Sequence, residues 1–126
     1  MSLRSPLGKV LGLGAAKEGA GHWWSQRVTA VALVALGIWF VASLFALQGF
    51  DYDAVTSWIR HPVNATLLAL FVAVSAYHSQ LGLQVVIEDY VHNEKLKLAS
   101  IMANNFFSFA VALASIYAIL KLSSGV

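Results

Sequence analysis

A short polar segment, HSQLGLQVVIEDY at residues 78–90, ends one of the long apolar runs of this sequence. His78 lies well inside that run, and an ionisable side chain at such depth in a membrane segment indicates a functional site. Three roles are open to its imidazole: axial ligation of a haem iron, membership of a proton relay, or a hydrogen bond to a neighbouring helix.

The positions around His78 on a helix favour contact with something bulky. At about 100° per residue, Phe71, Gly82 and Asp89 each fall within about 40° of His78. Gly82 would let either a neighbouring helix or a porphyrin face approach the backbone closely. No other histidine lies deep in an apolar run, so a six-coordinate b-type haem would take its second axial ligand from another subunit.

A carboxylate and a phenol follow at the end of the same run. Asp89 and Tyr90 form either a solvated helix end at the membrane surface or part of a small polar pocket. In the pocket, the tyrosine hydroxyl can donate a hydrogen bond to a quinone carbonyl, and the carboxylate can orient an arginine. Arg27 stands at the start of another apolar run. It contacts either lipid phosphate or a haem propionate.

Three long apolar segments must position these residues. Of the 126 residues, 59% are hydrophobic and 11% are charged, whereas about 25% charged residues is usual in soluble domains. Each segment exceeds the roughly 20 residues that cross a bilayer, which predicts helices over about 25–48, 62–89 and 96–122. The composition therefore predicts an all-α membrane protein with three transmembrane helices.

The distribution of basic residues predicts the topology. Lys and Arg number six on one side of the membrane and two on the other, so the N-terminus is expected in the cytoplasm. The six are Arg4, Lys9, Lys17, Arg27, Lys95 and Lys97. Residues 1–22 are expected to form a flexible basic arm, residues 23–126 the three-span anchor, and QGFDYDAVTSWIRH (48–61) an external loop.

The third apolar segment carries a stripe of polar and modest-sized residues. Asn104, Ser108 and Ser115 share one helical face with Val111 between them. Such a stripe is typical of a helix–helix interface in a membrane, because small and polar side chains allow close approach and hydrogen bonds between helices.

Several kinds of site are excluded by composition. The sequence has no cysteine, which excludes disulfides, thiolate metal sites, iron–sulfur ligation and covalent haem attachment. It has no G-x-G-x-x-G fingerprint for a flavin. A net charge of +2 is too small to indicate nucleic-acid binding, and the low share of charged residues makes membrane lipid the expected surrounding.

The segment HSQLGLQVVIEDY, the opening GHWWSQRVTA and the three-span layout resemble the smaller cytochrome b membrane anchor of succinate dehydrogenase (complex II). The resemblance implies that His78 is one axial ligand of a haem b shared with a larger anchor subunit. It implies that Tyr90 hydrogen-bonds ubiquinone and that Asp89 supports this pocket by pairing with a partner's arginine. Arg27 and, less securely placed in the motif, His22 would approach the haem propionates.

The resemblance also implies the surroundings of the chain. It would join a hetero-oligomeric helix bundle with the larger cytochrome b anchor, an iron–sulfur subunit and a flavoprotein subunit. As a non-flavin subunit it would have no catalytic residue and no activity alone. The absence of an Arg- and Ser-rich, acid-poor amphipathic leader argues against a mitochondrial precursor and favours a bacterial protein or a processed mature chain, so the bacterial inner membrane is expected over the mitochondrial one. Two alternatives stay open: a quinol:fumarate reductase anchor, or a non-enzymatic membrane scaffold whose His78 is structural.

Overall fold

The computed structural model describes residues 19–125 and, before them, Pro6 and Val10. The predicted N-terminal arm therefore lies largely outside the described residues. Within them the chain is helical, with no strand. The helices are α1 (Gly19–Ala46), α2 (Tyr52–Arg60), α3 (Pro62–Tyr90) and α4 (Glu94–Ser124).

Three of these helices, α1, α3 and α4, are long and apolar enough to cross a membrane. They contain 28, 29 and 31 residues, which corresponds to about 42–47 Å at about 1.5 Å per residue. The hydrocarbon core of a bilayer is about 30 Å thick, so each helix would tilt or continue into the headgroup region. The predicted all-α architecture with three such helices is confirmed.

The helix ends follow local chemistry. Pro62 occupies the first turn of α3, where its missing N–H has no helical partner to lose. Asn93 caps α4, with its side-chain oxygen accepting a hydrogen bond from the Leu96 backbone N–H at 3.0 Å. At the other end, Gly125 has φ 75°, a left-handed conformation that ends the helix at little steric cost. Only residues 91–93 separate α3 from α4, so the two helices are antiparallel neighbours.

The segment expected to be an external loop contains a helix instead. In α2, Val55, Trp58 and Ile59 pack towards the long helices, whereas Asp53 and Arg60 lie at its two ends. Trp58 stacks on Trp39 of α1, with ring centroids 5.7 Å apart. The helix is short and its apolar residues are interleaved with polar ones. The burial of one face therefore stabilises α2. A hydropathy profile does not predict α2, because its residues do not form an apolar run.

The long helices form an open layer with α3 in the middle. Both α1 and α4 pack against α3, and they do not pack against each other. A small cluster, in which Ile59, Ala65 and Ile119 are the buried members, joins α2 to α3 and α4. No described side chain is less than 2% exposed. The two faces of the layer are therefore left for lipid or for other subunits.

Candidate functional site

The imidazole of His78 lies at the contact between α3 and α1. Its Nδ1 atom is 2.8 Å from the hydroxyl oxygen of Thr29. Thr29 is 8% exposed and is one of few buried polar residues in the described chain. The structure thus brings His78 together with a residue that the sequence interpretation did not select.

Two more members of the stripe predicted around His78, Phe71 and Gly82, also meet α1. The ring of Phe71 lies 5.3 Å from that of Phe40, measured between centroids. A Cβ atom at Gly82 would lie 3.7 Å from the side-chain nitrogen of Gln26. In this chain, therefore, Phe71, His78 and Gly82 line the α1–α3 interface, and the Gln26 side chain lies at van der Waals distance from a Cβ atom built at Gly82.

Polar side chains of α1 form a matching stripe towards α3. His22, Gln26 and Thr29 are spaced four and three residues apart, which places them on one helical face. The Nε2 atom of His22 and the Oε1 atom of Gln26 are buried and lack a hydrogen-bond partner among the described residues. Such atoms in a low-dielectric setting are costly unless a further group satisfies them. The polar spacing in an otherwise apolar helix is the sequence signal that would have identified Thr29.

Arg27 points to a different side of α1. It is two positions before Thr29, which places the two side chains about 160° apart around the helix. Its guanidinium carbon lies 5.7 Å from the ring centroid of Trp23, a cation–π contact. Both side chains are exposed, so Arg27 has access to groups outside the chain but does not share a face with Thr29.

Asp89 and Tyr90 lie at the surface end of α3. Both are exposed, Tyr90 to 77%, and among residues 19–125 Asp89 forms no ion pair. Helical rise places them about 16 and 18 Å from His78, with Tyr90 about 120° around the helix from it. The phenol therefore need not face what the imidazole faces. The start of α1, with His22 and Arg27, is at the same end of the layer, because α1 and α3 are antiparallel.

A second polar network occupies another side of α3. The amide nitrogen of Gln80 donates to Asn105 Oδ1 at 2.6 Å and to Gln84 Oε1 at 3.3 Å, and Gln84 donates to Glu88 at 2.8 Å. Asn104, 8% exposed, donates to the Gln80 backbone carbonyl at 2.9 Å. The predicted interface role of Asn104 thus corresponds to a hydrogen bond between α3 and α4.

A polar cleft lies beside this network. It has a volume of about 460 Å³ and is lined by residues of α1 and α3, including His22, Ser25, Gln80 and Gln84. His22 therefore borders both the α1–α3 contact and an open polar space. The glutamines of the HSQLGLQ segment serve this network and not the surroundings of His78.

The described residues contain no group of three or more His, Cys, Asp or Glu side chains able to hold a metal ion. At the depth of Thr29, α1 and α3 offer one imidazole, that of His78, whose Nδ1 is engaged by Thr29 and whose Nε2 forms no hydrogen bond with the described residues. Such a site can supply one axial ligand to a haem iron and needs the rest of the coordination from elsewhere.

Comparison with known proteins gives consistent matches. Residues 1–112 match the family model described as "Succinate dehydrogenase/Fumarate reductase transmembrane subunit". A Rickettsia bellii protein named succinate dehydrogenase hydrophobic membrane anchor subunit is 36% identical over 116 residues, which cover 92% of this chain and 93% of the relative. Proteins of the same name from Rickettsia typhi and Paracoccus denitrificans are 37% and 33% identical, covering 82% and 90% of this chain and 82% and 88% of the relatives. No solved structure matches the chain.

Proposed function

Because the chain belongs to the family of succinate dehydrogenase and fumarate reductase transmembrane subunits, we propose that it is a hydrophobic membrane anchor subunit of a bacterial succinate dehydrogenase. With a larger cytochrome b anchor subunit, it would hold the iron–sulfur and flavoprotein subunits to the inner membrane. The observation that carries the proposal is the setting of His78, an imidazole inside an apolar helix with Nδ1 engaged and Nε2 available.

Haem b fits the residues of this chain as a group shared with a partner. His78 would supply one axial ligand through Nε2, and the larger anchor subunit would supply the other. Haem bound there would provide a one-electron carrier within the membrane. Gly82 would let the porphyrin approach α3 beside its contact with Gln26.

Two basic residues are candidates for the haem propionates. His22 has a buried Nε2 atom without a partner among the described residues, and it lies within about 20° of Thr29 around α1. An anionic oxygen would satisfy that atom. Arg27 faces away from Thr29 and rests over Trp23, so it would reach a propionate only from the outer side of α1. The geometry therefore supports His22 more strongly than Arg27.

Ubiquinone would bind at the cytoplasmic end of α3. Tyr90 would donate a hydrogen bond from its hydroxyl to a quinone carbonyl oxygen, which orients the ring at the surface. Asp89 would pair with an arginine of a partner subunit, which explains an exposed carboxylate without an ion pair among residues 19–125. Electrons would arrive from the iron–sulfur subunit, and the protons for reduction would come from water at this face. The chain contributes binding and orientation, and succinate oxidation belongs to the flavoprotein subunit.

Two alternatives have specific support. The matched family description also names fumarate reductases. The second candidate is therefore the anchor subunit of a quinol:fumarate reductase, in which quinol is oxidised and fumarate is reduced. The hydrogen bond from His78 to Thr29 is what a purely structural histidine would also make. A spectrum of the purified complex distinguishes the structural role from the ligand role.

The test replaces His78 with leucine in the membrane complex. We expect His78→Leu to insert normally, because leucine is favoured over polar residues in a transmembrane helix. It should lose the reduced-minus-oxidised b-type haem spectrum. His61→Leu, at the exposed start of α3, is the matched control and should keep the spectrum. An unaltered haem spectrum in His78→Leu would show that His78 is not the ligand.

A further inference from the structure

Thr29 makes three close polar contacts, and together they determine where its proton is. Its hydroxyl oxygen lies 2.7 Å from the Ser25 backbone carbonyl, 3.2 Å from the Gln26 carbonyl and 2.8 Å from His78 Nδ1. A hydroxyl has one proton to donate and can accept at its lone pairs. Two of the three neighbours are carbonyl oxygens, which can only accept.

The short contact to the Ser25 carbonyl requires the hydroxyl proton. Two oxygens at 2.7 Å without a proton between them would repel each other. The Thr29 hydroxyl therefore donates to Ser25 and accepts from His78. The imidazole must then carry its proton on Nδ1, and in a neutral ring this leaves the lone pair on Nε2. The contact thus selects one of the two tautomers.

The same contact restrains the orientation of the ring. Thr29 is 8% exposed, and its side chain has a stiff χ1 because it is β-branched. The hydroxyl also anchors itself to its own helix through the Ser25 carbonyl. His78 is therefore held from α1 by a fixed acceptor.

We propose that Thr29 is a positioning residue for the haem ligand. It holds the His78 imidazole in the tautomer whose Nε2 can bind iron, and its hydrogen bond to Nδ1–H increases electron donation from the ring to the metal. The inference rests on the proposed role of His78 as an axial ligand. Thr29, on α1, would act on the haem through His78, on α3. Its loss should therefore change the electronic properties of the haem as well as its retention.

The experiment substitutes Thr29 in the complete membrane complex. Thr29→Val keeps the shape of the side chain and removes the acceptor, and we expect haem affinity to fall about 10–100-fold, the usual effect of losing a hydrogen bond to a ligating histidine. The midpoint potential of the haem that remains should move to a more positive value, because an imidazole that donates less electron density stabilises the ferric state less. Thr29→Ser keeps the acceptor and should restore both properties.

The matched control is Thr66→Val. Thr66 makes the same bond to the carbonyl four residues earlier, at 2.8 Å from Pro62, but it is exposed and forms no hydrogen bond to another described helix. It should leave haem affinity and potential unchanged. If Thr29→Val does not assemble, Thr29→Ala removes the hydroxyl without placing a methyl group against the ring and allows the same measurements.

The outcomes separate this inference from the proposed function. Loss of haem in His78→Leu together with wild-type haem affinity and potential in Thr29→Val, or in Thr29→Ala where that variant is needed, would overturn the role of Thr29 and leave the ligand in place. A normal haem spectrum in His78→Leu would overturn both. A shifted potential in Thr29→Val that Thr29→Ser restores supports the positioning role, since a purely structural threonine would not alter the potential.

Discussion

Replacement of Gly82 by alanine distinguishes two arrangements at this position of α3. Either α1 alone lies against Gly82, or α1 and a porphyrin both do. A methyl group at Gly82 would meet the Gln26 side chain at 3.7 Å, an ordinary van der Waals contact. The α1–α3 contact therefore has room for alanine. Glycine within a helix costs about 0.5–1 kcal/mol relative to alanine. Gly82→Ala should stabilise the folded chain by that amount, which is about two- to fivefold in the folded-to-unfolded ratio.

If a porphyrin packs at Gly82, the same substitution should lower the affinity for haem. Extra volume in a packed contact costs about 1–3 kcal/mol, which corresponds to a loss of roughly 5- to 150-fold in haem affinity. We therefore expect the haem-free form of Gly82→Ala to unfold at the denaturant concentration of the haem-free wild type or higher, while the haem content per complex falls. Haem content is measured by the pyridine haemochrome spectrum during titration with a haem-binding competitor.

Gly37→Ala is the matched control for this experiment. Gly37 lies within α1, and a Cβ atom there would meet nothing within 4 Å. It should gain the same helix stability and keep its haem. If Gly82→Ala behaves as Gly37→Ala in both measurements, no porphyrin lies against Gly82. If the haem-free form of Gly82→Ala is less stable than the haem-free form of Gly37→Ala, the reasoning about space beside Gln26 is refuted, because bound haem no longer contributes to the comparison.

Two further substitutions test the surface end of α3 and the contact of α3 with α4. Tyr90→Phe removes only the hydroxyl proposed to hold ubiquinone, so quinone reduction should be impaired while succinate oxidation by an artificial acceptor continues. Tyr117→Phe on α4 is the control. Normal quinone kinetics in Tyr90→Phe would contradict the assignment. Asn104→Leu removes a hydrogen bond worth about 0.6 kcal/mol in membranes, but it also removes a buried Oδ1 atom without a partner among the described residues. Because an unsatisfied buried group costs about 1–3 kcal/mol, we expect Asn104→Leu to raise the free energy of unfolding, measured with denaturant, by roughly 1 kcal/mol. A lower free energy of unfolding would show that Oδ1 is satisfied in the intact protein.

The long helices and the ends of α3 and α4 could be predicted because their causes are local, whereas α1 begins at Gly19 and not near residue 25. Apolar runs longer than a bilayer needs, a proline at the start of α3 and an asparagine capping α4 act through neighbouring residues. The depth of His78 follows from its position within such a run. The short helix α2 could not be predicted in this way. It depends on contacts that residues distant in sequence provide, such as the stacking of Trp58 on Trp39.

The sequence by itself determined that an imidazole lies deep in an apolar helix and that a carboxylate and a phenol lie at its end. Helical periodicity also determined which residues share a face with His78. It could not determine what covers that face, because the angle of a side chain around its own helix does not specify the neighbouring helix. Only the packing of α1 on α3 decided that Thr29 meets Nδ1 and that Gln26 meets Gly82. The tautomer of the proposed ligand is therefore a property of the tertiary structure, since it depends on an acceptor 49 residues away.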